Sequence, residues 1–124
     1  MQLGESLEDY LESILVLSKF LDHVRSVDVA SYLGFSKPSV SHAVKLLAQQ
    51  GHIHLDDNKF LTLTETGKKI AEETYRRHCF FTEMLENIGV PKDIAQEDAC
   101  HIEHVISQET FDAIQKYYEE KEAQ

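Results

Sequence analysis

A chain of 124 residues, 42% of them hydrophobic, suits one domain or two very small ones with a buried core. It has no apolar run near the roughly 18 residues that suggest a membrane span and no basic-then-apolar leader, so a globular cytoplasmic protein without a membrane partner is expected. The net charge of −10 argues against nucleic acid for the chain as a whole, but it is unevenly spread: −4 over residues 1–24, +2 over 25–77 and −8 over 78–124, so only the middle third suits a phosphate backbone.

Ser6 followed by Asp9 reads as a capping box, and Leu7, Tyr10, Leu11, Ile14, Leu15, Leu17 and Leu21 recur with helical period, which predicts a first helix through about Leu21. Asp9 and Glu12 stand on one side of it, and Asp9 is either a first-turn cap or a ligand. A short second helix begins at Ser26, turns Val27, Val29, Ala30 and Leu33 inward and ends at Gly34. Ser36-Lys37-Pro38 then reads as an N-cap followed by a proline in the first turn of a third helix. Val40, Ala43, Val44 and Leu47 form its inner face, with Ser39, Ser41, His42, Lys45 and Gln49 outward until Gly51. Two helices joined by a tight Gly-containing turn, the second opening on short polar and basic side chains, predict a helix-turn-helix.

His52-Ile53-His54-Leu55 and Phe60-Leu61-Thr62-Leu63 flank the turn cluster Asp56-Asp57-Asn58-Lys59, the pattern of a short β-hairpin. Such a hairpin would be the wing of a winged helix; the other reading is an αα-hairpin with no role on DNA. Thr64 caps a long fourth helix through Ile70, Ala71, Tyr75, His78, Phe81, Met84, Leu85 and Ile88 to Gly89, and Pro91 interrupts the chain. A fifth helix runs from about Lys92 to Ile106, and Ser107 caps a last one carrying Phe111, Ile114, Tyr117 and Tyr118. The apolar stripes of these last segments exceed what a subunit of this size can cover, which predicts a dimer interface.

On the fifth helix Cys100, Glu103 and His104 share a face at i, i+3 and i+4, while Ile102 turns toward packed neighbours. Thiolate, carboxylate and imidazole together make half or more of a divalent transition-metal shell, and His78, Asp9 and Glu12 are candidates to complete it. The other reading is a solvated Glu103–His104 pair beside a small core cysteine. Two cysteines without a leader give no reason to expect a disulfide. His101 is rotated about 100° from Cys100, and Cys79 likewise from His78, so His101 is expected at the surface or an interface and Cys79 in the core.

With its predicted winged helix and Cys-x-x-Glu-His segment, the chain resembles the diphtheria toxin repressor and manganese transport regulator family of metal-dependent repressors. Four segments carry the resemblance: Glu8-Asp9-Tyr10-Leu11-Glu12, Ser36-Lys37-Pro38-Ser39-Val40-Ser41-His42, Arg76-Arg77-His78 and Ala99-Cys100-His101-Ile102-Glu103-His104. It implies a homodimer that binds a palindromic operator when Fe(II) or Mn(II) is loaded, the metal clamping the first helix to the fourth and fifth. The short length looks like the manganese branch, which lacks the C-terminal SH3-like domain of the iron branch. Asp9 and Glu12 match the two first-helix carboxylates of the manganese branch, and His78, Glu103 and His104 match ligands of both. Cys100 matches the iron branch, where the manganese branch has a bridging glutamate. Thr82 stands where an acid is expected and Gln96 where the iron branch has a histidine, so the metal and the number of sites stay open.

The expected fold is mainly α, an N-terminal winged helix-turn-helix over residues 1–72 followed by a helical metal-binding and dimerisation domain over residues 73–124. The expected function is metal-dependent transcriptional repression controlling iron or manganese homeostasis, with a double-stranded DNA operator and a second copy of the chain as partners, and with neither enzymatic activity nor an organic small-molecule substrate. Asp9, Glu12, His78, Cys100, Glu103 and His104 are the expected ligands for Fe(II) or Mn(II), with Co(II), Ni(II) or Zn(II) also compatible. Ser36, Pro38, Ser39, Ser41 and His42 are expected at base edges, and Arg25, Lys37, Lys45 and Lys59 at phosphates. The alternatives are a winged-helix regulator with an organic effector, the Cys/Glu/His cluster being incidental, and a metalloenzyme. The enzyme is disfavoured because every plausible titratable group is already used as a ligand.

Overall fold

A computed structural model describes residues 5–122. In chain order they form α1 (Glu5–Leu17), α2 (Ser26–Leu33), α3 (Lys37–Gln49), β1 (Ile53–Leu55), β2 (Leu61–Leu63), α4 (Glu65–Asn87), α5 (Lys92–Val105) and α6 (Gln108–Glu122). The chain divides into two compact units, residues 1–75 and 76–124.

The first unit is a winged helix-turn-helix. Its core is built from Tyr10, Leu11 and Ile14 of α1, Val29 and Ala30 of α2, Val40, Ala43, Val44 and Leu47 of α3, Ile53 and Leu61 of the hairpin, and Ala71 of α4. Leu11, Val40 and Leu47 are fully buried, each burial contributing about 1.5–3 kcal/mol. Gly34 ends α2 with φ 72°, the left-handed conformation a helix stop requires, and its N–H donates to the Ala30 carbonyl. Ser36 caps α3 by accepting from the Ser39 N–H at 3.3 Å, and Pro38 falls in the first turn, where its missing N–H removes no helical bond.

Strands β1 and β2 pair antiparallel with Ile53 opposite Leu63, His54 opposite Thr62 and Leu55 opposite Leu61. Asp56 organises the turn, its Oδ1 accepting from the N–H groups of Asn58 and Phe60 at 2.9 Å each, while Lys59 takes φ 65°. Val24 adds an isolated bridge to this wing through the Leu61 N–H, 2.7 Å from its carbonyl.

Four expectations are corrected, three of them in the first unit. Helix α1 stops at Leu17, four residues before Leu21, because Ser18 Oγ donates to the Leu15 carbonyl at 2.7 Å and the next two N–H groups make tighter i to i−3 bonds. Phe20 and Leu21 are exposed in consequence. At the other end α1 already includes Glu5, so Ser6 lies inside the helix and not ahead of it; its side chain is outside the described residues. Val27 points outward at 51% exposure, since the short α2 buries only Val29 and Ala30.

The second unit holds the later turns of α4 with α5 and α6. Phe81, Ala99 and Phe111 are its buried centre, with Phe80, Met84, Ile102, Ile106 and Ile114 packed around them. Phe80 meets Phe81 and Phe111 edge to face at 5.4 and 5.5 Å. Ser107 caps α6 by accepting from the Thr110 N–H at 3.1 Å. Cys79 is exposed instead of buried, because this aromatic core occupies the neighbouring face of α4.

Within the first unit, Thr64 Oγ1 accepts from the Gly67 N–H at 3.2 Å and donates to the Gly51 carbonyl at 2.6 Å, which draws the start of α4 against the backbone entering β1. A Cβ on Gly67 would meet the His52 carbonyl oxygen at 1.9 Å. Gly67→Ala should therefore destabilise the protein by about 1–3 kcal/mol despite the better helix propensity of alanine. Urea unfolding midpoints of the two proteins measure this; a variant as stable as wild type would contradict the close approach.

Candidate metal centre and nucleic-acid interface

Helices α4 and α5 bring four of the expected ligands together within the second unit. Ala95, Ala99 and Ile102 anchor the apolar side of α5, and the adjoining stripe carries Cys100, Glu103 and His104. Glu103 and His104 are buried, at 2% and 6% exposure, and Cys100 is half-buried. A sulfur of Cys100, a carboxylate oxygen of Glu103 and a ring nitrogen of His104 lie within 4.8 Å of one another. From α4, His78 places Nδ1 2.9 Å from Glu103 Oε2.

The Glu103 carboxylate is thus shared between two imidazoles, since His104 Nε2 stands 3.2 Å from the other oxygen. Burial pushes this carboxyl up, but contact with the His104 and His78 rings outweighs it and holds the group below the usual carboxylate range. Although His104 is at ion-pair distance, no donor among the described residues completes a hydrogen bond to Oε1, which is fully buried. An ionised buried oxygen left in that state is costly unless a cation replaces the missing donor. With a sulfur, a carboxylate oxygen and a ring nitrogen within 4.8 Å of one another, the residues fit a divalent transition metal.

The remaining candidates are placed as follows. Asp9 and Glu12 are half-buried on α1 of the first unit, one helical step apart. His101 is exposed, in keeping with its exclusion from the ligand set. Thr82 uses its hydroxyl within α4, donating to the His78 carbonyl at 2.7 Å, and Gln96 is exposed.

In the first unit, Ser36, Lys37, Pro38, Ser39, Ser41 and His42 crowd the start of α3 and are all exposed. Lys45 is exposed further along α3, and Lys59 at the wing turn. Arg25, just before α2, lays its guanidinium over the Phe60 ring at 4.8 Å, while His23 stacks on the same ring at 4.2 Å. The start of α3 thus offers a helix N-terminus with short exposed polar side chains, and Arg25, Lys37, Lys45 and Lys59 are exposed cations of the same unit.

One buried cation stands beside the candidate ligands, named from sequence only as part of the Arg76-Arg77-His78 segment and given no role there. Arg77 is 8% exposed and donates to the backbone carbonyls of Glu103 and Ile106 at 3.2 and 2.9 Å and to Gln108 Oε1 at 2.7 Å. Its signal was available in the pattern, because Ile70, Thr74, Arg77 and Phe81 follow one helical stripe and an arginine interrupts it.

Comparison with known proteins agrees along the whole chain. Residues 2–61 match the family described as iron dependent repressor, N-terminal DNA binding domain, and residues 64–123 that described as iron dependent repressor, metal binding and dimerisation domain. The transcriptional regulator MntR of Escherichia coli O6:H1 is 37% identical over 113 residues, covering 91% of this chain and 73% of the relative. The HTH-type transcriptional regulator MntR of Bacillus subtilis is 32% identical over 121 residues, covering 95% and 85%. Among solved structures, the manganese regulator SloR superposes with a TM-score of 0.82 at 28% identity over 96% of this chain. A manganese-dependent transcriptional repressor in complex with manganese superposes with 0.80, also at 28% identity, over 90% of this chain. This chain spans only 55% and 51% of those two structures' chains.

The lowered pKa of Glu103 has a consequence without metal. Its ionised contact with the imidazoles stabilises the fold above the ordinary carboxylate range, and that contribution is lost as pH falls through the lowered pKa. In chelator-treated protein, the thermal midpoint of wild type should exceed that of Glu103→Gln near neutral pH, and the gap should close as pH falls below the ordinary carboxylate range. A gap independent of pH would show that Glu103 is not ionised against these rings.

Proposed function

Because the chain belongs to the iron-dependent repressor family through both its DNA-binding and its metal-binding segments, we infer that it is a metal-dependent transcriptional repressor, a DNA-binding switch and not a catalyst. The observation that carries this reading is the buried Glu103 carboxylate, in contact with His78 and His104 beside Cys100, one of its oxygens taking no hydrogen bond from the described residues. The cofactor is a divalent metal, Mn(II) or Fe(II), with Co(II), Ni(II) or Zn(II) also suited to a thiolate-containing site. When bound it supplies the positive charge that neutralises the acidic donors.

The proposed ligands are Asp9, Glu12, His78, Cys100, Glu103 and His104. Asp9 and Glu12 are included on the family resemblance and on their shared face of α1. Residues 1–72 form the proposed DNA-binding domain and residues 73–124 the metal-binding and dimerisation domain. Ligands drawn from both make metal loading a constraint on the DNA-binding part, which is the differential interaction a switch needs. The protein acts in the cytoplasm on iron or manganese homeostasis, without an organic small-molecule substrate.

The proposed partner is a double-stranded operator bound by a homodimer, two recognition helices reaching half-sites about 34 Å apart. Ile94 and Val105 on α5 and Tyr117 on α6, all exposed, supply apolar surface for the dimer contact. Ser36, Pro38, Ser39, Ser41 and His42 face base edges, where side chains this short favour thymine methyl contact and shape readout. Arg25, Lys37, Lys45 and Lys59 reach phosphates.

Operator binding followed during metal titration tests this reading. Binding should require metal and vanish with chelator, and Lys45→Ala should weaken it on all sequences while reducing the salt slope by about one unit. Chelator-insensitive binding would favour an organic effector, and an unchanged slope would remove Lys45 from the DNA surface.

Cys100 sets the metal preference in this proposal. A thiolate favours metals later in the Irving–Williams order and bridges less readily than a carboxylate with two oxygens, so one well-formed site per subunit is expected. Cys100→Glu should raise Mn(II)-dependent operator binding and can add a second metal. Stoichiometry and Mn(II) titration of both proteins check it: two tightly held Mn(II) per wild-type subunit, unchanged in the variant, would exclude Cys100 as a ligand.

A further inference from the structure

Arg77 and His78 are neighbours on α4, yet both converge on Glu103. His78 contacts its carboxylate through Nδ1 at 2.9 Å, whereas Arg77 Nη1 donates to its backbone carbonyl at 3.2 Å. The same Nη1 reaches the Ile106 carbonyl at 2.9 Å, Nη2 reaches Gln108 Oε1 at 2.7 Å, and the guanidinium lies over the Phe111 ring at 5.2 Å. The last carbonyls of a helix lack intrahelical donors, and the negative end of its dipole favours a cation. Here one buried side chain answers both needs at the end of α5, one helical turn from the proposed ligands.

We propose that Arg77 is a positioning residue for the metal ligands: its guanidinium fixes the end of α5, and with it Glu103 and His104, against the turn of α4 that carries His78. Glu103 is thereby held at its backbone and at its carboxylate by consecutive residues of one helix. The donors then stand near one another before any metal arrives, so ordering them is no part of the binding free energy. The planar fork matters as much as the charge, because two carbonyls and an amide oxygen are met from fixed directions; a lysine keeps the charge but cannot reproduce the three bonds. Arg76 provides a comparison within the same helix. It is exposed, lies over Phe111 at 4.9 Å and donates to Gln115 at 2.8 Å, two contacts to α6.

This inference rests on the metal-site reading, and Co(II) titration of the full chain separates the two. The probe is Co(II) alone, followed by thiolate-to-metal charge-transfer absorption, with the thermal midpoint of the metal-free protein measured in parallel. Arg77→Lys should weaken Co(II) binding by about 10- to 100-fold, the usual effect of removing a group that orients ligands, and should alter the band. Gln108→Ala should weaken it by a smaller factor. Wild-type affinity and spectrum in Arg77→Lys and Gln108→Ala would overturn the proposal while leaving the metal site standing. If Arg77→Lys does not fold, Gln108→Ala decides by the same criteria. Absence of saturable binding and of the band in wild type would overturn the metal site and this role together.

Discussion

The second unit depends on how one buried carboxylate is compensated. Removing Glu103 from water disfavours its charge, and only the imidazoles of His78 and His104 make the ionised form the stable one. That requirement brings α4 and α5 to a defined separation, because Nδ1 of His78 must reach one oxygen at 2.9 Å while His104 reaches the other. The aromatic group of Phe80, Phe81 and Phe111 supplies the apolar burial, but an apolar cluster by itself tolerates rotation and sliding. The polar contacts are directional, and they select one arrangement.

The same residues explain how a structural device can also be a metal site. A buried carboxylate in contact with two imidazoles is a donor set that would hold a divalent cation, which would supply the positive charge that burial withholds from Glu103. In the proposed ligand set Cys100 would add a soft donor to otherwise harder groups, and the balance between Mn(II) and the later metals would turn on that residue. Arg77 lies outside the donor set and bonds to backbone, where it does not compete with the metal for lone pairs.

The first unit uses different physics. Its α3 is positioned by a hydrophobic face that is fully buried, leaving the opposite face and the N-terminal turn with no packing duty. Ser36 serves the helix as a cap and is also available at the surface where a phosphate or base would approach. In the wing, Asp56 uses a side-chain oxygen to hold the turn that presents the exposed Lys59.

The sequence by itself determined the order and type of the elements, because their signals are local. Helical periodicity in α3, the left-handed stop at Gly34, the cap at Ser36 and the turn at Asp56 each depend on a few neighbouring residues. It also placed Cys100, Glu103 and His104 on one face of α5, since that follows from spacing alone. Burial could not be read this way. Cys79 was expected in the core and is exposed, Val27 was expected inward and faces out, and α1 ends at a serine whose hydroxyl competes for the backbone. Which oxygen of Glu103 lacks a donor, and that Arg77 crosses to the end of α5, were decided by tertiary structure, because both depend on residues 25 or more positions apart meeting in space.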